Sequence, residues 1–321
     1  MTGSLPKANS RHIACLLVVI ALINPAPAQA AKLEHRRSSV QRTASQPEPG
    51  VPRPVWHVLE TANFRVLSYG THPVAASAGQ ACETLRTELY AKWIGDDSAA
   101  DWLPKCDVVL HPTDASYLRE VGAGAASTVA SSLIDQLQGQ IRTRRIDVRT
   151  SDSDWQTAAL PHELTHVVLA GRFAGRALPR WIDEGAAILA DPTAKRLGHK
   201  QEITAALANR SAFRIVELVT LDDYPAAHRW GTFYCQSASV VEYLVSQKSP
   251  ADFVQFVELA LDEGYDTSLR KVYGIAGIAG LERNWQAQTH LSQPRISQPR
   301  TIQASAPIPT GGRPIRTAQP G

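Results

Sequence analysis

The densest chemistry in this 321-residue chain lies at His162-Glu163-Leu164-Thr165-His166. Residues four apart in a helix sit one turn apart on the same face, so both imidazoles can reach one metal ion. Glu163 stands beside that face, where a carboxylate can work on a water without becoming a ligand. A catalytic zinc site takes three protein ligands and keeps a fourth position open. Trp181-Ile182-Asp183-Glu184-Gly185 offers the third ligand: Glu184 falls on the next predicted helix, which a short connection brings back antiparallel to the first. The chemistry served by His162, His166, Glu184 and Zn2+ is hydrolysis by a polarised water. Glu163 takes the proton as general base and returns it to the leaving amine. Such a site also wants a donor for the oxyanion, worth ~3 kcal/mol. Tyr234 and His228 are the candidates, both near the start of the helix that follows Asp222-Asp223-Tyr224-Pro225. Tyr234 shares a helix face with Ala238, Val241 and Val245, so a core aromatic is its alternative reading.

The elements that must position these side chains follow from periodicity. Residues 56–60 and 64–68 read as two strands joined at Ala62-Asn63, and 106–111 as a short buried strand stopped by Pro112. Residues 140–149 alternate as another strand. Val74 to Ile94 has helical spacing and ends at Gly95. Beyond residue 154 the pattern is helical over 161–172, 179–190, 195–208, 229–247, 251–263 and 278–289. Pro161 either opens the first of these helices, where its missing N–H costs nothing, or kinks a longer one starting near Asp154. Gly185 inside a helix costs roughly 1 kcal/mol against alanine, so its place points to close packing against a neighbour. Gly122-Ala123-Gly124-Ala125 reads as a flexible loop lining the cleft. His57, His72 and His111 read as structural, and His199 as exposed on a polar helix. Together this is an α+β fold, with a strand-containing N-terminal half packed on a helical zincin-like half and the active-site cleft between them.

His162-Glu163-Leu164-Thr165-His166 followed by Leu178-Pro179-Arg180-Trp181-Ile182-Asp183-Glu184-Gly185-Ala186-Ala187 resembles the gluzincin metallopeptidases, and most of all the peptidase MA-like group. Tyr234-Cys235-Gln236-Ser237 resembles that group's Tyr-x-Gln-Ser segment, and Leu281-Glu282-Arg283-Asn284-Trp285 its closing element. The resemblance covers 155–290 well and 54–150 loosely, through Glu60-Thr61-Ala62-Asn63-Phe64. It implies His162, His166 and Glu184 as ligands and Glu163 as base. Some gluzincins carry an acidic residue four positions after the glutamate ligand; here that position is Ile188, and Asp183 and Asp191 are the nearby carboxylates. Zinc-bound histidines ordinarily need such a partner.

Charge and composition place this core within the whole chain. Of the 33 basic residues eleven lie in 1–53 and 291–321, against two of the 30 acidic ones, so the middle is acidic despite a net charge of +3. That excludes a nucleic-acid-binding core, which needs its own basic face. Lys7 and Arg11, the apolar run Ile13–Ile23 and Ala28-Gln29-Ala30 predict a signal peptide over 1–30, hence a periplasmic or extracellular protein without a membrane span after cleavage. Residues 31–53 read as a flexible leader and 291–321 as a disordered basic tail, in which Ser-Gln-Pro-Arg occurs twice. These flanks could touch anionic surface polymers. The folded domain is expected over 54–290. Export leaves Cys82, Cys106 and Cys235, of which Cys82 and Cys106 are the expected disulfide. The functional expectation is a secreted zinc metallopeptidase acting on peptide or protein substrates. The alternative is a cell-surface or matrix binding protein that keeps its zinc site without turnover. A structural zinc domain would need a fourth protein ligand, and no suitably spaced Cys or His is evident.

Overall fold

The computed structural model describes residues 16–19, 56–69, 72–95 and 100–291. The leader and nearly all of the tail lie outside the described residues, as does all of the expected signal peptide except Leu16–Val19. A mixed sheet forms one side of the molecule. It comprises β1 (Leu16–Val19), β2 (His57–Glu60), β3 (Phe64–Ser68), β4 (Cys106–His111), β5 (Ala130–Leu137) and β6 (Gln140–Arg149), in the spatial order β1-β5-β6-β4-β3-β2. The pairs β3–β4 and β4–β6 are parallel; β1–β5, β5–β6 and β2–β3 are antiparallel. The parallel β3–β4 pair needs a crossover, which α1 (His72–Trp93) provides. Phe64, Val66, Val108, Leu110, Ile146 and Val148 are buried with Ala78, Leu89 and Trp93 of α1. Each buried large apolar side chain contributes ~1.5–3 kcal/mol relative to exposure.

After the sheet the chain is helical, as the periodicity anticipates: α3 (Leu160–Arg172), α4 (Arg180–Ile188), α5 (Thr193–Ala208), α7 (Trp230–Gln247), α8 (Pro250–Glu263) and α10 (Gly277–Leu291). Three short helices escape a periodicity reading: α2 (Asp114–Val121), α6 (Ile215–Val219) and α9 (Tyr265–Ser268). The architecture is α+β, with a sheet-bearing N-terminal half against a helical C-terminal half. Among the described residues no helix is long and apolar enough to cross a membrane.

Several local expectations change. The chain is already helical from Trp155, as a π turn over Trp155–Ala159, and α3 continues from Leu160 with Pro161 in its first turn. Pro161 therefore lies within a longer helical run starting near Asp154, the second of the two placements open to it, with the wider π turn just before it. Gly122–Ala125 is not an open loop. Ala123–Ala125 form a 3-10 turn with Ala125 buried, and Gly122 at φ +106 ends α2. β5 is absent from the sequence reading because Ser131-Ser132 and Asp135-Gln136 interrupt its alternation. Its hairpin to β6 turns at Gln138 and Gly139, both with positive φ, as a two-residue turn requires. His199 is half-buried, with Nδ1 3.4 Å from Glu202 Oε2. The expected disulfide is not formed: Cys82 on α1 and Cys106 on β4 are both free and buried in the helix–sheet contact, and Cys235 is also free and buried. Here the thiols serve as small apolar residues, and burial raises the pKa of all three.

Two buried polar contacts fasten the helical half. Gln236, fully buried in α7, accepts from Phe213 N at 2.8 Å and donates to Phe213 O at 2.7 Å. Trp285 of α10 donates from Nε1 to Ser239 Oγ at 2.9 Å. Gly185 sits where α4 crosses α7, and a Cβ there would lie 2.5 Å from Val241 Cγ2 and 2.6 Å from the Ser237 carbonyl oxygen. Gly185→Ala should therefore cost stability despite alanine's better helix propensity. A loss of ~1–3 kcal/mol is expected from overpacking, read as a lowered midpoint in urea unfolding. An unchanged or raised midpoint would show that α4 and α7 can slide apart freely.

Candidate metal centre

α3 places His162, Glu163 and His166 on the face it turns toward α4 and the sheet, and all three are buried. α4 brings in Glu184, also fully buried. One ligand atom from each of His162, His166 and Glu184 lies within 4.8 Å of the others. Glu184 Oε2 is 3.9 Å from Nε2 of each histidine. These three atoms, together with Glu163 Oε2, are buried and have no hydrogen-bond partner. Unsatisfied buried polar atoms are costly, and four converging in one place call for a ligand. A divalent cation fits: two imidazole nitrogens and one carboxylate oxygen are a zinc-type donor set with room for a further ligand.

Carboxylates beyond the donor set orient both rings. His166 Nδ1 is 2.7 Å from Asp183 Oδ1, and His162 Nδ1 is 3.0 Å from Asp191 Oδ1. A proton held on each Nδ1 leaves Nε2 with its lone pair facing the common centre. Asp191 is in turn 2.8 Å from Lys195 Nζ, one turn along. The acidic partner absent at Ile188 is thus replaced by two, one for each histidine. The sequence had singled out both carboxylates without assigning either.

Burial and neighbouring charge set the protonation of this cluster. Burial lowers His162 to about 4 despite Asp191. It also works against protonation of His166, but Asp183, Glu184 and Glu163 outweigh it and raise that histidine to about 10. The contrast follows from charge count, since three carboxylates bear on His166. A cation held by these atoms would displace that proton. Burial raises Glu184, and raises Glu163 to about 7, with Ser132 of β5 alongside Glu163 and acting in the opposite sense.

Tyr224, in the connection before α7, is a residue that sequence reasoning passed over. Its hydroxyl donates to Glu184 Oε1, which leaves Oε2 for the common centre. Tyr234 is buried, its ring centroid 6.3 Å from that of Tyr224, and it hydrogen-bonds the Tyr224 hydroxyl. Burial, Glu184 and Glu163 all raise its pKa, so its proton stays on and it remains a donor. Arg180 lies over the Tyr224 ring at 5.0 Å. A Tyr in an Asp-Asp-Tyr-Pro turn carries no spacing signal toward α4, so only the folded chain reveals its contact. His228 is exposed on the turn before α7, while His111 is buried, with Nε2 2.7 Å from Asp147 Oδ1.

Two cavities adjoin the cluster. Ala130, His162, Glu163 and Lys195 help line a cavity of about 280 Å³, and Ile134, Phe173, Arg180 and Asp183 help line another of about 240 Å³.

Comparison with known families agrees with this geometry. Residues 139–291, from the start of β6 to the end of α10, match the model of the peptidase MA superfamily. The matched segment contains the whole His162-His166-Glu184 cluster, and it supports a metallopeptidase-type function and the resemblance to the gluzincins. No curated protein matches the chain.

Proposed function

We propose that the protein is an exported zinc-dependent metallopeptidase that hydrolyses peptide bonds, with His162, His166 and Glu184 as metal ligands. The observation that carries this reading is the convergence of three unpartnered ligand atoms beside the unpartnered Glu163 Oε2. A bound zinc ion would supply Lewis acidity at the carbonyl and make a water acidic near neutral pH. Glu163 Oε2 accepts the proton of the attacking water and passes it to the departing amine. Burial favours this exchange, because it holds the carboxyl near the pH at which it must both take and give a proton. Tyr234 would turn its O–H from the Tyr224 hydroxyl to donate to the oxyanion, and Tyr224 fixes Glu184 through Oε1, which would leave Oε2 for a metal. The outer edge of β5 offers the peptide a backbone to pair with, and Leu16–Val19 lies extended and antiparallel along that edge. Removal of a signal peptide would free it. The basic flanks are read as weak contacts to anionic surface polymers.

The test is elemental analysis of the purified exported protein, coupled to a peptide-library digest with and without chelator. About one zinc per chain and cleavage lost on chelation are expected. Full zinc with no cleavage of any peptide would favour the binding-protein alternative, and absence of metal would overturn both.

A further inference from the structure

The cavity of about 280 Å³ opens directly beside Glu163 and carries charge of its own. Asp152 and Asp154 line it, half-buried and exposed respectively, and among the described residues neither has an ion-pair partner. Asp154 N donates to Asp152 Oδ1 at 3.0 Å and Ser153 Oγ to Asp154 Oδ1 at 3.2 Å, which holds the two carboxylates on one turn. Lys195 lines the same wall, but its charge is answered by buried Asp191 at 2.8 Å. At the inner end the unpartnered Glu163 Oε2, itself buried, marks where a reacting group would arrive. The remaining wall is largely small and apolar, from Val129, Ala130, Ala158, Ala159, Pro192 and Ala194. Such a wall can cover a methylene stem while the carboxylates receive a cationic head.

Direction follows from β5. Leu16 pairs with Ile134 and Val19 with Ser131, so a strand lying in that sense runs toward Ala130 and this cavity. We propose that the cavity is a specificity pocket for a lysine or arginine side chain on the carboxyl side of the scissile bond, with Asp152 and Asp154 as its selecting groups. The proposal rests on the peptidase reading and names the substrate class of that site. The second cavity, at the Ile134 end, would take residues on the amino side; its charges balance, Arg176 and Arg180 against Asp183 and Asp222, so the acidic excess lies at the Ala130 end.

The test uses zinc-loaded full-length exported protein and paired peptides differing only by Lys, Ala or Glu after the cleaved bond. The wild type should favour Lys over Glu by roughly tenfold in kcat/KM, and the ratio should shrink as salt rises. D152N/D154N should bring the ratio toward one, and D152K/D154K should invert it. A wild-type preference for Glu or Ala, or a Lys preference untouched in both variants, would overturn the pocket assignment while leaving the peptidase reading standing. Binding of the Lys and Glu peptides to the E163Q protein, read by fluorescence anisotropy, separates the two ideas. Tighter binding of the Lys peptide supports the pocket even if no turnover is found, and equal binding overturns it.

Discussion

Glu163→Gln is expected to keep the fold and the bound metal while lowering kcat for peptide cleavage by ~10²–10⁴-fold, the range a general acid–base group contributes. The amide matches the carboxylate in shape, so the buried niche between α3 and β5 stays filled. It has no site that takes up the water's proton, and none to hand on to the leaving amine. Glu163 is adjacent in sequence to His162, yet its Oε2 is left without a partner while Nε2 of both histidines and Glu184 Oε2 turn to one another. Elemental analysis and circular dichroism report metal and fold separately from the rate. Turnover within a few-fold of wild type by the metal-replete variant would remove Glu163 from the mechanism and require another base.

Glu184→Ala should abolish stable metal binding. Two histidines on one helix remain, and a zinc site of two protein ligands falls short of the three that catalytic sites use. The change also takes away a carboxylate that faces both Nε2 atoms at 3.9 Å. It takes from the partly buried Tyr224 hydroxyl its acceptor as well, at about 1 kcal/mol for the lost hydrogen bond. Dialysed variant protein should hold little zinc, show no peptide cleavage and unfold at lower denaturant. Tyr224→Phe separates these effects, since it leaves the ligand in place and removes only its support. It should bind zinc more weakly, by ~10–100-fold, as loss of such supporting contacts does elsewhere. Stoichiometric zinc in Glu184→Ala would show that the third ligand lies elsewhere.

Helix-borne features were readable early. The i, i+4 spacing of His162 and His166 needs no knowledge of the rest of the molecule, because helix geometry alone puts the two rings on one face. Glu184 needed only the further premise that consecutive helices pack antiparallel. Gly185 announced a close crossing, and the crossing with α7 is there. β5 was harder. Its strand character comes from pairing with β6 and from burial of Ala130, Ser132 and Ile134, not from the residues' own preference. The cysteines misled for a related reason: expected export and the short separation of Cys82 and Cys106 suggested a bond, whereas the fold uses all three as core packing.

By itself, then, the sequence determined the two histidines on one helix face, the adjacent Glu163, the helix bearing Glu184 and the α+β order of elements. Each is a matter of short-range spacing that one helix or one short connection enforces. The tertiary structure alone decided that Asp183 serves His166 and Asp191 serves His162, and that Tyr224 holds one oxygen of Glu184. It also decided that Ser132 and Ala130 of β5 lie beside Glu163, and that Asp152 and Asp154 face a cavity at its side. Those relations depend on the angle and distance at which separately formed elements meet. Packing of the whole core sets these quantities, and no local pattern of residues encodes them.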